Sequence, residues 1–178
     1  MKTKLNQSKL KLAIVSAMLV GSAGFSTAGY AATDTNTMAV STTVGMVCTI
    51  DSTGDLNFTH YDPTATDDNV ASATITSSCT VGGSAKITLS QGASGTGTDA
   101  APFRRMLGGS PGNAGTFLPY SLYQDSALST TWGNTPETGK GFTVVLDPDV
   151  STVYGKIAKN ETAGVGVFND TVAVTLTY

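Results

Sequence analysis

Apolar and polar residues alternate with a period of two in many short stretches of this chain. In residues 71–81, for example, Ala73, Ile75 and Cys79 fall on one face, and polar residues fall on the other. This spacing is typical of β-strands with one buried face. The stretches predicted as strands are residues 55–61, 71–81, 84–90, 117–123, 141–146, 151–157 and 170–178.

Turn-forming residues separate these stretches, as in residues 62–68 and 92–99, which are rich in Gly, Pro, Asp and Thr. No stretch combines apolar residues at helical spacing with helix caps, so no helix is predicted. Many short strands with polar turns predict an all-β sandwich or barrel. A length of 178 residues is typical of one domain with a sizeable core.

The last stretch, residues 170–178, is predicted to leave a sheet edge unpaired. One face carries Val172, Val174, Leu176 and Tyr178. No later residue follows that could fold back along this strand, so its edge is expected to be free. A free apolar edge is a template on which another chain can pair.

The start of the chain divides into two predicted segments. Residues 1–32 have four lysines, then an apolar run over residues 12–20, then small residues up to Ala31 and Ala32. This order predicts a secretory signal peptide cleaved after Ala31 or Ala32, with a retained membrane anchor as the alternative. Residues 33–45 follow as an extension before the predicted domain, residues 46–178. Met38, Val40, Thr42 and Val44 alternate in the extension with Ala39, Ser41 and Thr43.

The net charge of the chain narrows the classes of molecule that it is expected to bind. Loss of the signal peptide takes four positive charges from a formal net charge of −3, which leaves −7. Proteins that bind nucleic acid are usually basic, so no nucleic-acid partner is expected. An acidic balance favours solubility.

Two cysteines, Cys48 and Cys79, are expected to form a disulfide, since an exported chain meets an oxidising compartment. Ligands at metal-binding spacing are missing, so no metal or cofactor is predicted. The single histidine, His60, lies in a predicted strand without a nucleophile motif nearby, so no catalytic residue is predicted. Trp132 is interpreted as a packing residue, with a sugar-binding platform as the alternative.

Several motifs occur in one order along the chain: "CTI", "GDLNFTHYDP", "ATITSSCTVG", "FRRML", "LPYSLYQDSALSTTWGN", "VYGKI" and "GVFNDTVAVTLTY". In this order they resemble the spore coat protein U domain family, which includes subunits of archaic chaperone–usher pili. The resemblance implies an incomplete immunoglobulin-like β-sandwich that lacks its last strand. It also implies export to the periplasm, a periplasmic chaperone, an outer-membrane usher, and a missing strand supplied by the next subunit.

These observations lead to the hypothesis of a non-catalytic structural subunit of a surface pilus. The resemblance implies a role in attachment and biofilm formation, with identical or related subunits as partners in a homo-polymer. Residues 38–44 are predicted to act as the donor strand, with Met38, Val40, Thr42 and Val44 entering a groove beside the acceptor residues Val172, Val174, Leu176 and Tyr178. A secreted coat or matrix protein of the same fold that does not polymerise is the alternative, and a sugar-binding adhesin is a third possibility.

Overall fold

The computed structural model describes residue 29 and residues 31–178. The predicted signal peptide therefore lies outside the described residues, except for positions 29, 31 and 32. Within the described part of the chain, no helix is long and apolar enough to cross a membrane. The chain divides into two units, Met1–Ser41 and Thr42–Tyr178, and the strands belong to the second unit.

Residues of the second unit fold as a sandwich of two antiparallel β-sheets. The strands in the described residues are β1 (Cys48–Thr53), β2 (Asn69–Cys79), β3 (Ser84–Leu89), β4 (Thr96–Gly97), β5 (Pro102–Gly108), β6 (Phe117–Tyr123), β7 (Lys140–Thr143), β8 (Asp149–Ile157), β9 (Phe168–Asn169) and β10 (Val174–Thr177). The larger sheet has the order β1-β2-β8-β6-β5-β4, with β9 also paired to β5, and the smaller has the order β10-β3-β7. The predicted all-β, immunoglobulin-like sandwich is confirmed.

The hydrophobic core lies between the two sheets and is built from the inward-facing residues of the alternating strands. At its centre Trp132 is fully buried, and its indole Nε1 donates a hydrogen bond to the Ile87 carbonyl oxygen over 2.8 Å. Trp132 is therefore a packing residue, as the sequence indicated. The other buried members of this core are Ile75, Ile87, Leu89, Leu118, Tyr120, Leu122, Val153 and Ile157.

Residues 55–61 differ from the sequence prediction. Their alternation is present, because Leu56 and Phe58 are half-buried and pack against the core while their neighbours are exposed. Among the described residues, however, no backbone–backbone hydrogen bond involves residues 55–61. The predicted strand is wrong here because alternation sets the direction of side chains, whereas a strand also requires a backbone partner.

The C-terminal stretch is also shorter than predicted as a regular strand. Only Val174–Thr177 forms the ladder of β10. Just before it, the carbonyl oxygens of Thr171 and Ala173 accept hydrogen bonds from the backbone N–H groups of Ala93 and Ser90. These contacts hold the chain beside the β3–β4 loop without the regular spacing of a ladder.

The disulfide predicted from the cysteine count is present. Cys48 begins β1, Cys79 ends β2, and the two residues lie directly opposite each other in the antiparallel register. Both are buried in a small cluster with Ala85 and Val144, against which Leu176 of β10 packs. The bridge thus closes the end of the sandwich at which β1 and β10 approach each other.

We expect Cys48→Ser to lower the free energy of unfolding by about 2–5 kcal/mol, because the open chain gains conformational freedom when the bridge is lost. Urea unfolding followed by the fluorescence of Trp132 measures this change. Thr49→Ser, at the exposed neighbouring position, is the control and should leave the midpoint unchanged. An equal midpoint for Cys48→Ser and the wild type would contradict a stabilising role for the bridge.

Candidate functional site

An open groove of about 1000 Å³ runs along one side of the sandwich. Residues 53–61 form its first wall and residues 163–174 form its second wall. The floor is the hydrophobic core itself, since Ile75, Leu89, Leu118, Leu122, Val153 and Ile157 line it. The two sheets are therefore not closed over their core along this side.

The first wall carries two apolar side chains over strand β8. Leu56 and Phe58 lie across Gly155, where a Cβ atom would come within 2.8 Å of both side chains. Phe58 also makes an edge-on contact with the ring of Tyr120, with the ring centroids 6.2 Å apart. Aromatic pairs favour this arrangement. The glycine thus gives room for the wall to lie close to the sheet.

The far end of the first wall is anchored by Tyr61. Its hydroxyl donates to the Ala158 carbonyl oxygen over 2.9 Å and accepts from the Glu161 backbone N–H over 2.7 Å. These bonds join the end of the first wall to the chain segment that leads into the second wall. The groove therefore has a fixed width at this end, although residues 55–61 have no backbone ladder of their own.

Successive side chains of the second wall are alternately half-buried and exposed. Phe168, Asp170, Val172 and Val174 are half-buried, whereas Asn169, Thr171 and Ala173 between them are exposed. Strand β10 then pairs with β3 on one side, and no other described strand pairs with its second side. A row of backbone N–H and C=O groups beside the groove is thus available to another chain.

The four predicted acceptor residues have different positions. Val172 and Val174 line the groove and pack against the core. Leu176 turns inward as well, but it packs at the disulfide end beyond the groove. Tyr178 is 58% exposed. The sequence prediction did not include the groove residues Leu56, Phe58 and Asp170, although all three occupy alternating positions that could have indicated them.

The predicted donor residues lie in a segment without a strand in the described structure. Met38 and Val40 are 85% and 86% exposed, and Val44 is 75% exposed. Thr42 is exposed as well. Large apolar side chains in an alternating row are thus available for burial in another molecule.

A polar cluster interrupts the apolar lining where the floor meets the second wall. The Tyr120 hydroxyl donates to Asp170 Oδ2 over 2.6 Å, and the Ser94 backbone N–H donates to Asp170 Oδ1 over 3.2 Å. Both Tyr120 and Asp170 line the groove. The carboxylate therefore fixes the start of the C-terminal segment to strand β6 and to the β3–β4 loop.

Arg104, in strand β5, lies near this cluster. It is 1% exposed, and its Nε and Nη2 donate to the carbonyl oxygens of Ser90 and Leu89 over 2.8 and 2.7 Å. Burial lowers the pKa of the Arg104 guanidinium to about 10, and Tyr120 and Asp170 act in the opposite direction. Arg104 thus remains charged at neutral pH. No sequence pattern indicated Arg104, because residues 102–108 were not among the predicted strands.

The Tyr120 hydroxyl keeps its proton over the physiological range. Burial raises its pKa above the usual value, and the hydrogen bond to Asp170 raises it further. A protonated hydroxyl is the donor that the carboxylate requires.

Other chemistry is sparse in the described residues. No group of three or more His, Cys, Asp or Glu side chains in this part of the chain is arranged to hold a metal ion. His60 is exposed on the first wall. The groove therefore offers apolar burial, backbone hydrogen bonds and the carboxylates of Asp55 and Asp170.

Two glycines allow a test of how strongly Asp170 is held. Gly92 and Gly82 have nearly the same backbone conformation, with φ of +86° and +88°. A Cβ atom on Gly82 would meet open space, whereas one on Gly92 would overlap the Asp170 carboxylate. We expect Gly82→Ala to cost about 1–2 kcal/mol through backbone strain alone. Gly92→Ala should cost about 1.5–3 kcal/mol more, because it displaces a charged hydrogen-bond acceptor.

Urea unfolding of both variants measures the difference between the two glycines. Equal losses of stability would show that the contacts of Asp170 contribute little to the fold.

Known proteins resemble this chain in sequence and in fold. A relative, "Protein U" of Myxococcus xanthus, is 35% identical over 159 residues, which cover 83% of this chain and 87% of the relative. Among solved structures, the CsuC-CsuE chaperone-tip adhesion subunit pre-assembly complex from archaic chaperone-usher Csu pili of Acinetobacter baumannii aligns with a TM-score of 0.51 at 22% identity. That alignment covers 76% of this chain and 41% of the solved chain, and it shows similarity of fold.

The family comparison covers most of the chain. Residues 34–175 match the family described as Spore Coat Protein U domain. The match includes every strand of the sandwich up to the middle of β10. Together with the identity to "Protein U", it shows that this chain belongs to the Spore Coat Protein U domain family.

Proposed function

We propose that this protein is a structural subunit of a surface pilus and that its groove binds residues 38–44 of a neighbouring copy. The observation that supports this most directly is the pairing of an open apolar groove with a free edge at β10. A strand that enters the groove satisfies the backbone groups of the edge and fills the groove with alternate side chains.

The dimensions of groove and segment agree. Residues 38 to 44 in extended form span about 20 Å, at about 3.3 Å per residue. The first wall, residues 53–61, would reach at most about 26 Å if it were fully extended. A segment of seven residues is therefore of a length that this wall could accommodate.

The side chains of the segment also suit an apolar groove. Met38, Val40 and Val44 are largely exposed, and each stabilises the assembled state by about 1.5–3 kcal/mol when it is buried. A register shift of one residue would bury Ala39, Ser41 and Thr43 instead, which are smaller or polar. The register that buries the larger apolar residues is thus favoured.

A segment of one copy bound in the groove of the next is a head-to-tail contact that does not close on itself, and such contacts produce filaments. Before assembly the open core must be covered, which a periplasmic chaperone would do, and an outer-membrane usher would exchange the chaperone for the next subunit. The protein would then be exported to the periplasm and displayed at the cell surface, where the fibre supports attachment and biofilm formation without catalysis.

A non-polymerising coat or matrix protein of the same fold is the second candidate. Its extension would then cover the groove of its own copy. A sugar-binding adhesin has less support, because Trp132 is buried and cannot act as a stacking platform.

We expect Val40→Asp to abolish fibre formation while the sandwich remains folded, because an unpaired charge would enter the apolar groove. Ser41→Asp is the matched control: it places the same charge at the neighbouring, outward-facing position and should assemble normally. Electron microscopy and heat-resistant ladders on gels measure assembly. Normal fibres from Val40→Asp, or from a chain without residues 33–44, would rule out strand donation by this segment.

A second prediction concerns the isolated subunit. Without its chaperone the open core should lead to degradation or self-association in the periplasm, because large exposed apolar surfaces aggregate. Periplasmic yield and size-exclusion chromatography, with and without the chaperone, measure this dependence. A stable soluble monomer obtained without the chaperone would count against an open groove that requires a partner.

A further inference from the structure

One polar residue interrupts each of the two apolar rows that would meet in the groove. In the second wall the inward-facing row is Phe168, Asp170, Val172 and Val174. In the extension the row is Met38, Val40, Thr42 and Val44. A polar group buried without a hydrogen-bond partner is costly, so each interruption requires an explanation.

Asp170 has acceptor capacity that the fold does not use. A carboxylate offers about four lone-pair sites. Among the described residues it accepts one hydrogen bond from Tyr120 and one from Ser94. Asp170 is only half-buried, so water can reach the remaining sites in the open groove. A strand that covers the groove removes this water, and the carboxylate then needs a new donor.

The two rows match in one orientation. When the incoming segment runs antiparallel to the second wall, Met38 lies opposite Val174, Val40 opposite Val172, Thr42 opposite Asp170 and Val44 opposite Phe168. Each apolar residue then meets an apolar residue, and the hydroxyl meets the carboxylate. A parallel alignment over the same four positions would place Val40 against Asp170 and Thr42 against Val172.

We propose that the Thr42 hydroxyl of the incoming strand donates a hydrogen bond to the Asp170 carboxylate and so sets the register of the strand in the groove. This inference rests on the proposed donation of residues 38–44. It makes Asp170 and Thr42 a specificity-determining pair: a strand with an apolar residue at this position would leave a buried carboxylate short of a donor.

The test compares fibres of the full-length protein that differ at Thr42. Thr42→Val keeps the shape of the side chain and removes the hydroxyl, whereas Thr42→Ser keeps the hydroxyl. Hydrogen bonds to charged groups contribute enough that Thr42→Val should release subunits from purified fibres roughly tenfold to hundredfold faster. Thr42→Ser should release subunits at a rate near that of the wild type. Time courses of monomer release at fixed temperature, resolved on gels, measure the rates.

A double-mutant cycle tests whether Asp170 is the partner. In Asp170→Asn the charge is removed while an acceptor oxygen remains for Tyr120. The effect of Thr42→Val should then shrink severalfold, because hydrogen bonds between neutral groups are weaker. Val40→Thr is the control, and its destabilising effect should be the same in the wild-type chain and in the chain that carries Asp170→Asn.

The outcomes separate this inference from the proposed function. If Val40→Asp forms normal fibres, strand donation itself is wrong. If Val40→Asp blocks fibres but Thr42→Val releases subunits no faster than the wild type, only the register pair is wrong. An effect of Thr42→Val that is unchanged in Asp170→Asn also overturns the pair. Loss of assembly in Thr42→Val, with normal assembly in Thr42→Ser, supports it.

Discussion

Backbone N–H and C=O groups in a folded protein must be paired or hydrated, and the architecture of this chain depends on a place where described backbone groups have no backbone partner. Strand β10 pairs with β3 alone in the described structure, and residues 55–61 have no backbone partner there. Between them the core is open, so Ile75, Leu122 and Val153 line a groove. In a closed sandwich this apolar surface and these backbone groups are buried and paired inside the molecule. Here they are available for contact with another molecule.

The groove keeps its shape because its walls are held by specific contacts with the closed part of the sandwich. On one side Gly155 gives room for Leu56 and Phe58 to lie against β8. On the other side Asp170 binds Tyr120 and the backbone of Ser94. A rigid acceptor binds a strand with less loss of conformational entropy than one that must order itself, which would favour a long-lived form of the assembly that we propose.

A buried cation in such a small core requires compensation. Arg104 donates to two carbonyl oxygens at the end of β3 and lies near Tyr120 and Asp170. The two carbonyl oxygens are the hydrogen-bond partners of Arg104, whereas Tyr120 and Asp170 are partners of each other. The cluster lies beside the groove. The same residues therefore contribute to the stability of the sandwich and to the surface that, as we propose, binds the neighbouring strand.

The sequence by itself determined which side chains face inward, because alternation along a strand is a local property. Alternation predicted the inward residues of β2, β3, β6 and β8 and the all-β class. The cysteine count predicted the disulfide, and the family resemblance implied the immunoglobulin-like arrangement. Tertiary structure decided which alternating segments became strands, since residues 55–61 alternate as clearly as β8 but lie beside a gap instead of a partner. It also brought Arg104, Tyr120 and Asp170 together from distant parts of the chain. No local pattern contains that information, because hydrogen-bond partners across a sandwich are set by how the sheets pack.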